Sequence, residues 1–321
     1  MASHHWLTPS RLLIFILAFS IISFILFSLS DDCTCATIDT LVRKVRQLQE
    51  EIRTKDDILS SQKSSSSRRD KMEAREKEEQ GWDPHILCIL IPFRNRFEEL
   101  MEFIPFMDKF LSHQSVKHKF YVINQIDTHR FNRASLLNAG FKELSEDCSY
   151  IALHDVDLLP RNPAISYHYD NVRNGPHHVS SPELHPKYDY SKFIGGIMLM
   201  TCEQFQKLNG LSNRFWGWGR EDDELYMRIQ EANMKISKPE GISTGRKTFY
   251  HIHDKKKRKR DVKRLGNQHK ESFKRDPETG LDNVQYSVRS TQELSVNGAE
   301  GILLHVMIEC DVTITPWCDD A

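Results

Sequence analysis

The 321-residue chain has no excess of charge of either sign: 44 Lys and Arg stand against 45 Asp and Glu, a net charge of −1. Nothing in that balance opposes a packed globule. No internal repeat is visible, which excludes a stacked-repeat architecture. No Asn-x-Ser/Thr triplet occurs, so no glycan acceptor marks any part of the chain as luminal. Cysteine is scarce, and its count of seven is odd, so at least one thiol is free or paired between chains. Long apolar runs are scarce too: one uncharged stretch dominates, Leu12 to Leu29, and no clear small-residue cleavage site follows it.

That stretch of Leu, Ile and Phe, with only Ala and Ser mixed in, reaches the lower limit of about 18 residues for a membrane span and outlasts a typical signal-peptide core. Arg11, His4 and His5 precede it and Asp31-Asp32 follows, which leaves the N-terminus cytosolic and the rest luminal. The expected organisation is a cytosolic tail at 1–11, a signal anchor at 12–29, a luminal stem at 30–80 and a folded domain at 81–321. The stem is polar, with Ser64-Ser65-Ser66-Ser67 and a charged run from Arg68 to Glu79, and it cannot bury enough apolar surface to fold alone. Ile38, Leu41, Val45, Leu48 and Ile52 within it share a helical seam that suits a homodimer, and Cys33 and Cys35 are placed for interchain bonds or idle thiols.

From Trp82 onward the pattern suits one large α/β domain. Ile86–Ile91, Phe120–Ile123, Tyr150–Leu153 and Ile194–Met200 read as buried strands, separated by helical patterns at Phe97–Phe110 and Ala134–Leu144. Alternation of this kind implies a mostly parallel sheet, whose ligands bind beyond the carboxyl ends of the strands. Two segments fall there and are expected to converge: Pro92-Phe93-Arg94-Asn95-Arg96 and His154-Asp155-Val156-Asp157.

Asp155 and Asp157 outline a metal–diphosphate site, since carboxylates suit hard cations that neutralise nucleotide phosphates. An Asp-x-Asp triplet alone is weak, and the simple alternative is a solvated strand end. Phe93 with Arg94 and Arg96, and Phe131 with Arg133, pair aromatic faces with guanidinium groups, as base stacking and phosphate pairing require. In Phe215-Trp216-Gly217-Trp218-Gly219-Arg220-Glu221-Asp222-Asp223-Glu224 the glycines permit a hinge. The acids after them complement a helix dipole, yet capping rarely requires three, and a tryptophan beside a carboxylate cluster suits a sugar platform with a general base. His251 and His253, two apart on a strand-like segment, point the same way and can share one ion. The basic run Lys255 to Arg260 looks like a nucleic-acid or nuclear-import patch, but a luminal position removes both meanings and leaves a loop near phosphates or anionic glycans. No nucleic-acid partner is expected. Cys310 and Cys318, around Thr315-Pro316-Trp317, are expected to form a disulfide, whereas Cys88 reads as a small core residue; Cys148 and Cys202 are left unassigned.

Together Pro92–Arg96, Phe131-Asn132-Arg133-Ala134, Asp155-Val156-Asp157, Gly195-Gly196 and Phe215–Glu224 resemble the beta-1,4-galactosyltransferase family over roughly Ile86 to Asp254. Arg220, His251-Ile252-His253 and the tail from Glu309-Cys310 to Pro316-Trp317-Cys318 resemble its xylosylprotein branch, which adds the first galactose of the proteoglycan linker. The resemblance implies a GT-A type nucleotide-sugar transferase domain at 81–321, in the Golgi membrane as a single-pass type II protein. It implies UDP-galactose as donor, xylosylated core proteins as acceptors and Mn2+ as cofactor, held by Asp157, His251 and His253, with Asp222 as catalytic base. Pro92, Phe93, Arg94, Arg96, Phe131, Arg133, Asp155 and Val156 would hold UDP, and Trp218 would cover the donor. Tyr188, Tyr190, Gly195, Gly196, Glu221, Asp222 and Asp223 would meet the sugars. Phe193 departs from the tyrosine of many members, at a position whose hydroxyl influences donor choice. The alternatives are a transferase acting on N-acetylglucosamine and an inactive glycan-binding protein.

Overall fold

The computed structural model describes residues 81–319 except 255, and scattered helical positions between 43 and 55. The apolar run 12–29, Cys33, Cys35 and the seam from Ile38 to Ile52 lie outside the described residues. Among the described residues no helix is long and apolar enough to cross a membrane. Contacts divide the chain into Met1–Glu78 and Glu79–Ala321, and the second unit carries everything that follows.

The strands are β1 (Ile86–Phe93), β2 (Lys117–Gln125), β3 (Cys148–His154), β4 (Leu158–Pro160), β5 (His177–His178), β6 (Ile197–Thr201), β7 (Phe249–His251), β8 (Tyr286–Val296) and β9 (Ala299–Ile308). The helices are α1 (Phe97–Ser112), α2 (Arg133–Lys142), α3 (Cys202–Lys207), α4 (Glu221–Glu231) and α5 (Gln268–Glu271). Seven strands form one sheet in the order β5-β6-β3-β1-β2-β9-β8, and β4 pairs with β7 apart from it. The central pairs β1–β2, β1–β3 and β2–β9 are parallel. The flanking pairs β3–β6, β5–β6 and β8–β9 run antiparallel.

Both faces of β1 are covered, which is why it reads as a continuous apolar run. Leu87, Ile89, Ile91 and Phe93 pack with Leu100, Phe103, Ile104 and Met107 of α1. Cys88 and Leu90 face the other way, among Leu136 and Leu137 of α2 and Leu225 and Ile229 of α4. The chain leaves β1 through α1 to β2 and returns through α2 to β3 on the opposite side of β1. The carboxyl ends of β1 and β3 therefore lie side by side at the point where strand order reverses, the place where sheets of this kind bind ligands.

Two expectations change, and one element is added. Ile194–Met200 supplies a strand only from Ile197, because Gly195 and Gly196 form a turn in which Gly196 takes φ +81°. The β8–β9 hairpin was not anticipated, although Asn297-Gly298 between two long β-rich segments is a strong hairpin signal. Cys88 is not a lone core residue: it is bonded to Cys148, with Cα atoms 5.8 Å apart, because β1 and β3 are paired and Cys148 lies opposite Ile86, two residues from Cys88. The loop so closed spans 60 residues, for which the chain-entropy model gives about 4 kcal/mol. The structure also joins Cys310 to Cys318, eight positions apart, and leaves Cys202 free among the described residues.

Candidate active site

Beyond the carboxyl ends of β1 and β3 lies a cleft of about 840 Å³. It is lined by Pro92, Arg94, Arg96, Phe131, Arg133, Asp155, Val156, Asp157, Tyr188, Tyr190, Gly195, Gly196, Trp218, Glu221, Asp222, Asp223, His251 and His253, so the segments read separately in the sequence meet in one cavity. Phe93 is the exception. The period-two alternation of β1 turns it into the core, fully buried and edge-on to Phe97 at 5.0 Å. The aromatic face offered to the cleft at this end is Phe131.

Arg94 lines the cleft, but its guanidinium is committed to the carbonyls of Gln125, Asp127 and His129 and to the Asp127 carboxylate at 3.2 Å. It braces the loop beyond β2, a role that sequence alone could not separate from phosphate pairing. Arg133 bonds Asp155 at 2.8–2.9 Å and lies 3.9 Å from Glu221, so it ties the end of β3 to the start of α4.

The short β4–β7 pairing, with Leu158 opposite His251, brings Asp157 beside both histidines. Asp157 Oδ2 lies 3.6 Å from His251 Nε2 and 3.4 Å from His253 Nδ1. Burial pushes the Asp157 carboxyl up, but the two imidazoles more than reverse this and hold it well below the usual carboxylate range. His253 Nδ1 is buried and has no hydrogen-bond partner among the described residues, so a ring nitrogen is aimed at a shared point without being satisfied there. One carboxylate oxygen and two imidazole nitrogens are a donor set that suits Mn2+. Adjacent ligands of an ion with bonds of about 2.1 Å stand about 3 Å apart, so the three groups are slightly open. Among the described residues no three His, Cys, Asp or Glu side chains stand close enough, as placed, to hold a metal ion.

Elsewhere in the cleft wall, α4 is capped by Arg220, which holds φ +85°, a costly conformation for a side-chain-bearing residue. Its guanidinium lies 3.6 Å from the centre of the Phe273 ring and 3.1 Å from Asp223 Oδ2. The four acids that follow have different surroundings. Glu224 is fully buried and bonded to Arg228 and Arg275, so it belongs to the framework. Asp223 is held by Arg220 and by the Tyr190 hydroxyl at 3.3 Å. Glu221 is raised above its ordinary value by burial, and one of its oxygens is buried without a partner among the described residues. Asp222 is pushed up to about 7 by burial first and then by Glu221 and Asp223. A Cβ on Gly195 would lie 2.7 Å from Asp222 Oδ2, so only glycine lets that backbone approach the carboxyl so closely.

Residues outside the motifs complete the cavity. The basic run divides: Arg258 pairs with Glu99 at 2.7 Å, while Arg260 bonds the Tyr188 hydroxyl and lies 4.7 Å from the centre of the Trp218 ring. Trp218, 42% exposed, donates its backbone N–H to Asp261 and accepts from Arg264. Buried Arg130 bonds Asp261, Gln268 and the Trp317 carbonyl, which joins this loop to the tail closed by Cys310 and Cys318. Arg130 also fills the space beside Gly217, where φ is +82° and a Cβ would overlap its guanidinium. Charged residues on separate loops carry no periodicity, so nothing in the sequence pointed to Arg130 or Asp261.

Residues 43–170 match the family model described as the N-terminal region of glycosyl transferase group 7, and residues 175–254 match that described as the N-terminal domain of galactosyltransferase. The chain is 52% identical over 242 residues to human beta-1,4-galactosyltransferase 7, covering 75% of this chain and 73% of that protein. It is 46% identical over 239 residues to xylosylprotein 4-beta-galactosyltransferase of Caenorhabditis elegans, covering 73% and 82%. A crystal structure of a Drosophila beta-1,4-galactosyltransferase 7 mutant in complex with manganese, UDP-Gal and xylobiose superposes with a TM-score of 0.73 at 47% identity, covering 74% of this chain and all of that one. The sheet is thus that of a GT-A type glycosyltransferase. With about half its residues shared across three quarters of its length, the chain belongs to the beta-1,4-galactosyltransferase family, among its xylosylprotein members.

Proposed function

We propose that this enzyme moves galactose from UDP-galactose to the 4-hydroxyl of xylose on proteoglycan core proteins, with inversion and with Mn2+ as cofactor. The observation that carries the reading is that Asp222 lines the same cleft as Asp157, His251 and His253, in a fold whose Drosophila neighbour holds manganese, UDP-Gal and xylobiose. Asp222 is the base. Its neighbours Glu221 and Asp223 are engaged by Arg133 and Arg220, whereas its own raised affinity for a proton suits it to accept one from a sugar hydroxyl near neutral pH. As that proton leaves, the acceptor oxygen attacks the anomeric carbon from the face opposite UDP, and a single displacement inverts the centre.

Asp157, His251 and His253 would hold the metal. When bound, Mn2+ supplies positive charge against the diphosphate of the departing UDP, an effect worth several kcal/mol. Phe131, Pro92, Arg96, Arg133, Asp155 and Val156 surround the nucleotide, with Arg94 bracing their wall. Trp218 closes over the donor, and Tyr188, Tyr190, Glu221 and Asp223 orient the acceptor sugar against Gly195 and Gly196.

We further place the chain in the Golgi membrane as a type II protein with 12–29 as anchor and 30–80 as a stem that pairs two copies. The uncharged run at 12–29 supports the anchor, and the two disulfides fit an oxidising lumen. The function is tested with the full chain in detergent against a panel of UDP-sugars and acceptors. UDP-galactose with a beta-xyloside should react only with Mn2+ present, and N-acetylglucosamine should be poorer by about tenfold or more. Preference for N-acetylglucosamine would move the enzyme to the lactosamine type.

A further inference from the structure

His185 belongs to no motif, yet its ring is almost fully buried beside Tyr188 and Tyr190. It is 3% exposed, stacks on Tyr188 at 5.0 Å and meets Phe193 edge-on at 4.9 Å. Phe193 in turn contacts the Tyr188 and Tyr190 rings at 5.1 and 5.5 Å, so these four rings form one cluster at the cleft. His185 Nδ1 accepts the backbone N–H of Lys187 at 3.0 Å and that of Tyr188 at 2.9 Å. A ring nitrogen that accepts holds no proton, so the imidazole is neutral and carries its hydrogen on Nε2. Closure of a turn by a side chain bonded to N–H groups two and three residues ahead is the local device that Asx turns use. Here it fixes the backbone from which Tyr188 projects.

We propose that His185 is a positioning residue for acceptor selection: its Nδ1 splints the 185–188 turn and so sets the Tyr188 ring, with Tyr190 beyond it, at the height of the acceptor sugar. The proposal rests on the reading of Tyr188 and Tyr190 as acceptor contacts. A ring of the same shape without an acceptor nitrogen cannot hold the turn, whereas an asparagine can, because its Oδ1 occupies nearly the place of Nδ1. The packing of His185 and its splint therefore separate experimentally.

Full-length His185→Phe and His185→Asn are compared with wild type for the KM of a beta-xyloside, the KM of UDP-galactose and kcat. His185→Phe should raise the acceptor KM about tenfold, while the donor KM and the Mn2+ requirement stay within about twofold; tenfold corresponds to about 1.4 kcal/mol. His185→Asn should stay within about threefold of wild type in acceptor KM, and this rescue is what a merely structural role would not produce. An unchanged acceptor KM in His185→Phe, an equal rise in the donor KM, or a folded His185→Asn with a tenfold loss would each overturn the proposal. The Asn variant alone decides the matter if His185→Phe does not fold. Tyr188→Ala tests the underlying reading separately: an unchanged acceptor KM there removes Tyr188 from the acceptor site and the proposal with it, while a raised KM beside an unaffected His185→Phe overturns the proposal alone.

Discussion

Asp222→Asn should abolish turnover while leaving UDP–Mn2+ binding within about twofold of wild type, because the amide preserves shape but cannot take the acceptor's proton. General-base assistance is worth about two to four orders of magnitude, so the residual rate should fall at least that far. The carboxyl works only when ionised, and in the free enzyme it titrates at about 7. The wild-type kcat/KM should therefore fall as pH drops through about 7, and any residual activity of Asp222→Asn should lack that limb. Stability moves in the opposite sense. A folded-state value above the ordinary carboxyl value of 3.8 means that the folded protein binds more protons between the two, so stability declines as pH rises through that window. Asp222→Asn should consequently melt at a higher temperature than wild type above neutrality, with the difference vanishing below about pH 4. A variant that is inactive and also destabilised at pH 8 would count against the raised value.

His253→Ala should fail differently. Removing one of three donors weakens metal and donor together, so the apparent affinity for Mn2+ and for UDP-galactose should each fall by about tenfold to a hundredfold, with kcat partly recovered at high metal. Calorimetry of UDP–Mn2+ binding separates the two variants. Equal loss of affinity in Asp222→Asn and His253→Ala would merge the base with the metal site and defeat the assignment.

What could be read in advance follows from how local each signal was. The central strands declared themselves as unbroken apolar runs because both faces of β1 are buried, and the strand order then forced Pro92–Arg96 and Asp155–Asp157 together. The hairpin of β8 and β9 carried its turn in Asn297-Gly298, but β8 is a largely exposed edge strand and lacks the apolar run that marked the others. The disulfide of Cys88 depended on register between parallel strands 60 residues apart, which no spacing rule exposes. At the site, Phe93 and Arg94 showed the right chemistry, yet strand alternation buries the first and backbone carbonyls occupy the second. The resemblance singled out Asp222, but the residue pattern alone could find the acids of α4 only as a group, since their separation depends on how Arg133, Arg220, Arg228 and Arg275 pair with them in the fold. His185 acts on neighbours two and three residues away, yet a lone histidine between Leu184 and Pro186 carries no motif that would mark it.

The central claim is single displacement by one base onto the xylose 4-hydroxyl, and the structure of the product tests it most directly. The full chain should be incubated with UDP-galactose, a beta-xyloside and Mn2+, and the disaccharide characterised by nuclear magnetic resonance for anomeric configuration and linkage position. A beta-linked galactose on oxygen 4 of xylose is the predicted product. An alpha-linked galactose, or attachment at another hydroxyl, would contradict it.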